Sequence, residues 1–189
     1  MKPAWSRTAL SRLPSGRVGT AITPQLVDIV DTVSAVRRYS SGTSRRLRTC
    51  QEERWGLRME CPTPEDPFFD SEVTWLLPEM NLRLTHQRPR SRHARVGPSV
   101  LTAARVHREG TSWRTTDLLL GLSSAQGAAA RIVRSEEFAA AVAGRILRGG
   151  DADLALRTVH RTLEDLSYYR HDLSAWLTGQ HVFEVWPPY

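Results

Sequence analysis

Asp117-Leu-Leu-Leu-Gly-Leu122, followed after a turn by Ile132-Val-Arg-Ser-Glu-Glu-Phe138, is the part of this 189-residue chain from which the rest is best read. The first segment ends a run, Ser112–Leu122, that suits a buried strand and holds one acid among leucines. The second passes from a short apolar run to Ser135, a good helix N-cap. Glu136 and Glu137 follow in the first turn, where free amides and the helix dipole favour carboxylates. The chain therefore changes here from strands to helices.

Upstream, short segments punctuated by Pro and Gly read as an antiparallel sheet: Trp55–Glu60, Val73–Leu77, Asn81–His86, Val100–His107, Ser112–Leu122 and Ala129–Val133. Leu82 and Leu84 alternate with polar neighbours, as a half-buried strand requires. Arg108-Glu-Gly-Thr111 reads as a hairpin turn, and Arg88-Pro-Arg-Ser-Arg-His-Ala-Arg95 as a basic loop. Downstream, Phe138, Val142 and Ile146 share one helix face. Gly149-Gly150 stops that helix, and Asp151 caps a second one running to Tyr169. Asp172 starts a turn that buries Trp176, and His181–Trp186 is a final strand. The fold class expected is mainly β with C-terminal helices (α+β), an antiparallel β-barrel.

The N-terminal part is different. Residues 1–48 carry nine Lys or Arg against Asp28 and Asp31, a balance of +7. Since the whole chain carries +6, residues 49–189 sum to −1. Thr23-Pro24 announces a helix whose face is Leu26, Ile29, Val30, Val33 and Val36. Residues 1–48 are thus expected to be a basic arm with one amphipathic helix, a lid on its own domain or a contact with a second copy in a homodimer. Residues 49–189 form the barrel domain. The basic segments lack the interleaved aromatics of nucleic-acid binders. No apolar run reaches the roughly 20 residues of a membrane span. Cys50 and Cys61 lack metal-ligand spacing and read as reduced thiols of a cytoplasmic protein. With Arg outnumbering Lys 25 to 1, the composition suggests a GC-rich, actinobacterial genome.

A strand bearing Asp117, then a helix opening on Arg134-Ser-Glu-Glu137, resembles the bacterial family known as domain of unknown function 402. Its members include the cytidylyl-ester hydrolase of fosfomycin biosynthesis and nucleoside di- and triphosphate phosphatases. The resemblance covers residues 72–178 and is strongest in 113–166. It implies a barrel whose D-x-x-L-D strand, W-Y-V-D strand and D-x-D-E turn hold Mn or Mg beside a phosphate ester. Here Trp113 and Asp117 fit the strand motif, but Gly121 replaces its second Asp, Leu101 stands for the acid of the other strand, and Arg134 and Glu136 replace the turn's aspartates. Divalent cations require several oxygen ligands, so the expectation is no metal and a remnant acidic site of Asp117, Arg134, Glu136 and Glu137, with an Asp117–Arg134 salt bridge where the ion would lie. The alternative keeps Asp117, Glu136 and Glu137 as metal ligands.

A barrel without its metal is still a pocket, and Trp55, Trp75 and Trp113 are its expected lining. Aromatic walls suit an apolar small-molecule substrate, so the first functional expectation is a cofactor-free cyclase of specialised metabolism. The alternatives are a divalent-metal-dependent phosphohydrolase acting on nucleotides or nucleotidyl esters, and a non-catalytic binding protein.

Overall fold

The computed structural model describes residues 26–91 and 97–183. Ten strands come first: β1 (Val27–Asp31), β2 (Val36–Arg38), β3 (Ser44–Arg46), β4 (Thr49–Glu53), β5 (Gly56–Pro62), β6 (Phe69–Leu77), β7 (Leu82–Pro89), β8 (Ser99–Glu109), β9 (Ser112–Ser124) and β10 (Arg131–Val133). Three helices follow: α1 (Ser135–Ala143), α2 (Gly149–Tyr168) and α3 (Leu173–Gly179). One antiparallel sheet runs β3-β2-β1-β9-β8-β7-β6-β5-β4, with β10 beside the far half of β9.

Period-two alternation gives this sheet two buried faces. On one, Trp75, Leu82, Leu84, Leu101, Leu118 and Leu122 pack against Ala155, Val159, Leu166, Trp176 and Leu177 of the helices. On the other, Val30 of β1, Leu57 and Met59 of β5, Leu76 of β6, Ala104 and Val106 of β8, and Trp113 of β9 form a second core closed by Leu47. Each large side chain so buried stabilises the fold by about 1.5–3 kcal/mol relative to exposure.

Turn chemistry sets the connections. Gly56, after the β4–β5 turn, has a φ of +149°, and a Cβ there would lie 1.9 Å from the Leu76 carbonyl oxygen, so glycine is required. Asp172 caps α3 by accepting from the Ala175 amide at 2.9 Å, and this seats Trp176 in the core.

Three expectations are corrected. Residues 27–38 are the β1–β2 hairpin and not an amphipathic helix. Their apolar residues recur at helical spacing, but pairing with β9 makes the segment extended, with Asp28 and Val30 on its buried face. The sheet is open and is not a closed barrel: its edges β3 and β4 are not paired to each other, although Leu47-Arg48 joins them in sequence. The second helix begins at Gly149, so the two glycines open it. Thr23-Pro24, residues 92–96 of the basic loop and 184–186 of the expected last strand lie outside the described residues; 181–183 are not strand. No helix among the described residues is long and apolar enough to cross a membrane.

Candidate functional site: a chain of buried charges

Strand β9 has two neighbours along one edge. Its first half, Ser112–Thr116, pairs with β1, and Gly121–Ser123 pair with β10. Asp117 stands at the gap between them, with its amide bonded to the Leu26 carbonyl at 2.8 Å. The ladder to β8 also shifts register here, between Thr102 and Ala104, and Leu119 takes a left-handed φ of 67°. Asp117 Oδ1 accepts the Leu119 amide at 2.7 Å, which fixes the carboxylate in this kink. Arg134, the residue before α1, has a φ of 63°. Such a backbone in a non-glycine residue costs about 1–3 kcal/mol each time and persists only where the surroundings enforce it. Both strained residues flank Asp117.

Register brings four more charges to the same face. Asp28 lies across from Thr115, Val30 from both Arg37 and Trp113, and Arg83 from Leu76 and Thr102. The resulting network is continuous. Glu72 accepts from Arg37 at 2.8 Å, and Arg37 also donates to Asp28 at 2.8 Å. Arg83 lies 3.7 Å from Asp28 and 2.6 Å from Asp117. Arg134 Nη1 donates to both oxygens of Asp117, at 3.2 and 3.0 Å, and Arg134 Nη2 lies 3.1 Å from Glu137. Four carboxylates thus alternate with three guanidiniums. Arg37 further stacks on the Tyr39 ring, 4.5 Å from its centroid.

Burial and charge oppose each other at Asp117, Glu72 and Arg134. Burial would push the Asp117 carboxyl up, but Arg83, Arg134 and the Leu119 amide outweigh it and hold its pKa below the ordinary value. Glu72 is likewise pushed up by burial and held down by Arg37. Burial favours loss of the Arg134 proton; Asp117 and Glu137 more than reverse that, and its pKa is raised.

A stability prediction follows from these directions. Carboxylates with a folded pKa below the unfolded one contribute stability that is complete above about pH 5 and is lost as pH falls through the folded value. Thermal unfolding should therefore show a flat Tm from pH 5 to 8 and a fall below about pH 4. D117N should flatten that fall, and an unchanged slope would remove Asp117 from the account.

Of the residues singled out in the sequence, Asp117, Arg134 and Glu137 meet in this network, whereas Glu136 is exposed. Leu101 is fully buried on the opposite, helix-packed face, so an acid at that position would not join Asp117. The three tryptophans do not share a pocket. Trp75 belongs to the helix-side core and Trp113 to the core across the sheet, where its Nε1 donates to Glu52 at 3.1 Å. Trp55 lines a separate cleft of about 600 Å³ with Arg54, Met80 and Phe183. Asp28, Arg37, Glu72 and Arg83 were missed. Arg83, set between Leu82 and Leu84, carried a signal: its alternation places it on the sheet's other buried face.

A divalent ion does not fit this site. Both oxygens of Asp117 are engaged by guanidinium groups, and among the described residues no three His, Cys, Asp or Glu side chains gather to hold a metal.

No family model matches the sequence, and no curated protein matches it. Solved structures do. A crystal structure of a protein of unknown function DUF402 from Rhodococcus sp. RHA1 aligns at a TM-score of 0.80 and 23% identity, over 87% of this chain and 99% of that one. A crystal structure of a phosphatase with the non-hydrolyzable nucleotide GPCP aligns at 0.55 and 12% identity, over 81% and 84%. The chain has the fold to which its strand-and-turn motif pointed. At these identities the likeness is one of fold.

Proposed function

We propose that this protein is a metal-independent, non-hydrolysing binding protein built on a fold shared with a nucleotide-binding phosphatase. The observation that carries this reading is the occupation of Asp117: Arg83 and Arg134 take the oxygens that a cation would need. Hydrolysis of a phosphate ester needs charge stabilisation at the phosphoryl oxygens and an activated water. In this network three guanidiniums are already matched by four carboxylates, which leaves no excess positive charge for a phosphate. The more specific reading, cyclisation of an apolar substrate, rested on a shared aromatic pocket, and the separation of Trp75 from Trp113 removes that support.

A second reading has its own support. The fold likeness to a phosphatase holding a nucleotide analogue favours a phosphohydrolase acting on nucleotides. One assay separates them. Purified protein is incubated with nucleoside di- and triphosphates, with Mn²⁺, with Mg²⁺ and with chelator, and released phosphate is measured. The binding-protein reading expects no phosphate above a D117N control in any condition. Metal-dependent turnover that D117N abolishes would establish the phosphohydrolase instead.

A further inference from the structure

The cleft beside Trp55 shares no residue with the arginine-carboxylate chain. It lies between the β4–β5 turn, the 3-10 turn Pro78–Met80 that joins β6 to β7, and the segment that leaves α3. Its walls are held from behind. Trp55 and Met80 pack against the helix-side core, and the required Gly56 sets the turn that carries Trp55. Beyond α3 the buried Val182 donates its amide to the Leu177 carbonyl at 2.9 Å, which pins the chain next to Phe183. Phe183 nevertheless leaves 69% of its surface open, and its ring meets that of His181 with centroids 5.7 Å apart. Trp55, Phe183 and Met80 thus line a concavity of about 600 Å³, a size suited to a small molecule.

The charges around the cleft decide what it takes. Glu53, Glu79 and Arg54 line it, and among the described residues none of the three makes an ion pair or a side-chain hydrogen bond. Two free carboxylates against one guanidinium give a local excess of negative charge in a chain that carries +6. The faces of aromatic rings attract cations as well, so walls and rim act with one sign. An anion would meet two carboxylates, and a hard metal ion would find too few oxygen ligands. We infer that this cleft is the ligand site of the protein and takes a small organic cation with an apolar body, a quaternary ammonium or an alkylated amine. Its body lies against Trp55 and Phe183, and its charge is balanced by Glu53 and Glu79. The inference rests on the binding-protein reading and gives that reading its ligand class. Arg54 opposes the cation, so removing its charge strengthens binding.

The test is calorimetric titration of benzyltrimethylammonium into the full chain at low ionic strength without metal, with benzyl alcohol and phenylacetate as the neutral and anionic comparisons. The expected result is saturable one-site binding of the cation, roughly fivefold or more tighter than either comparison. Glu79, Phe183 and Arg54 are all exposed, so their variants should keep the wild-type Tm. F183A should weaken binding roughly two- to thirtyfold, the span of a cation–ring contact from exposed to desolvated. E79Q should weaken it about two- to fivefold, and R54Q should strengthen it by a similar factor. No heat with the cation overturns the inference. So does binding of phenylacetate or benzyl alcohol as tight as that of the cation, an affinity unmoved by both E79Q and F183A, or weaker binding by R54Q. Failure here is distinguishable from failure of the functional reading: nucleotide hydrolysis that D117N abolishes sinks the latter, while a wild type that releases no phosphate and ignores benzyltrimethylammonium sinks only the inference.

Discussion

Replacing Asp117 by Ala is expected to lower the unfolding free energy by about 3–5 kcal/mol, because it leaves Arg83 and Arg134 facing each other without their common counter-ion. Arg83 is 15% exposed and its Nε has no hydrogen-bond partner, so water cannot readily replace the lost carboxylate. The Leu119 amide loses its acceptor as well, at a backbone position that is already strained. Urea denaturation should show a lower midpoint at unchanged slope. The double variant D117A/R134A should cost less than the sum of the single ones, by roughly 0.5–3 kcal/mol of coupling. A loss under about 1 kcal/mol for D117A would mean that the arginines find other partners and that Asp117 does not organise the network.

The second large effect is expected at Gly121, the position at which the resemblance calls for an acid. A Cβ there would lie 2.6 Å from the Leu101 carbonyl oxygen and 3.2 Å from the Thr102 Cα, both backbone atoms of the paired strand β8. Backbone held in a ladder cannot swing aside as a side chain can. G121D is therefore expected to cost about 3 kcal/mol or more, from overpacking and a poorly solvated carboxylate together. For a chain of this size that corresponds to a fall in Tm of roughly 6–12 °C. Mn²⁺ should not restore it. A G121D protein with native Tm and newly gained metal binding would show that the missing acid alone separates this chain from a metal enzyme.

Legibility differed sharply between the parts of this molecule. The strands from β5 to β10 and the three helices could be read because turn residues, caps and a single period agreed in each segment. Asp172 with Trp176 is an example, whereas Ser135, expected as an N-cap, is the first residue of α1 and Arg134 holds the cap position without a side-chain bond. Residues 27–38 failed because Val30, Val33 and Val36 fit a helical spacing, whereas Val33 lies exposed in the turn between β1 and β2 and only the β9 edge, distant in sequence, selects the strand. The Asp117–Arg134 pair was legible because a buried carboxylate needs a partner and Arg134 is the cation that the motif comparison puts beside it. The extent of the network was not. Asp28 and Arg37 lay in the misread segment, and Glu72 carries no local sign that it meets an arginine across the sheet. The tryptophans misled because aromatic content says nothing about which side of a sheet a residue faces.

The placement of β1 has a consequence for how this protein is made. Strand β9 is the hub of the sheet, and its neighbour β1 comes from near the beginning of the chain, whereas β5 to β9 are joined by successive local connections. The free edge of β1 must therefore wait for its partner until residues 112–116 have been made. Loop-closure entropy makes that contact the slow one, and it is expected to form on a meander already assembled. Asp28 and Arg37 would arrive with it, so the arginine-carboxylate chain is completed only at the end of folding and reports that the last strand is home.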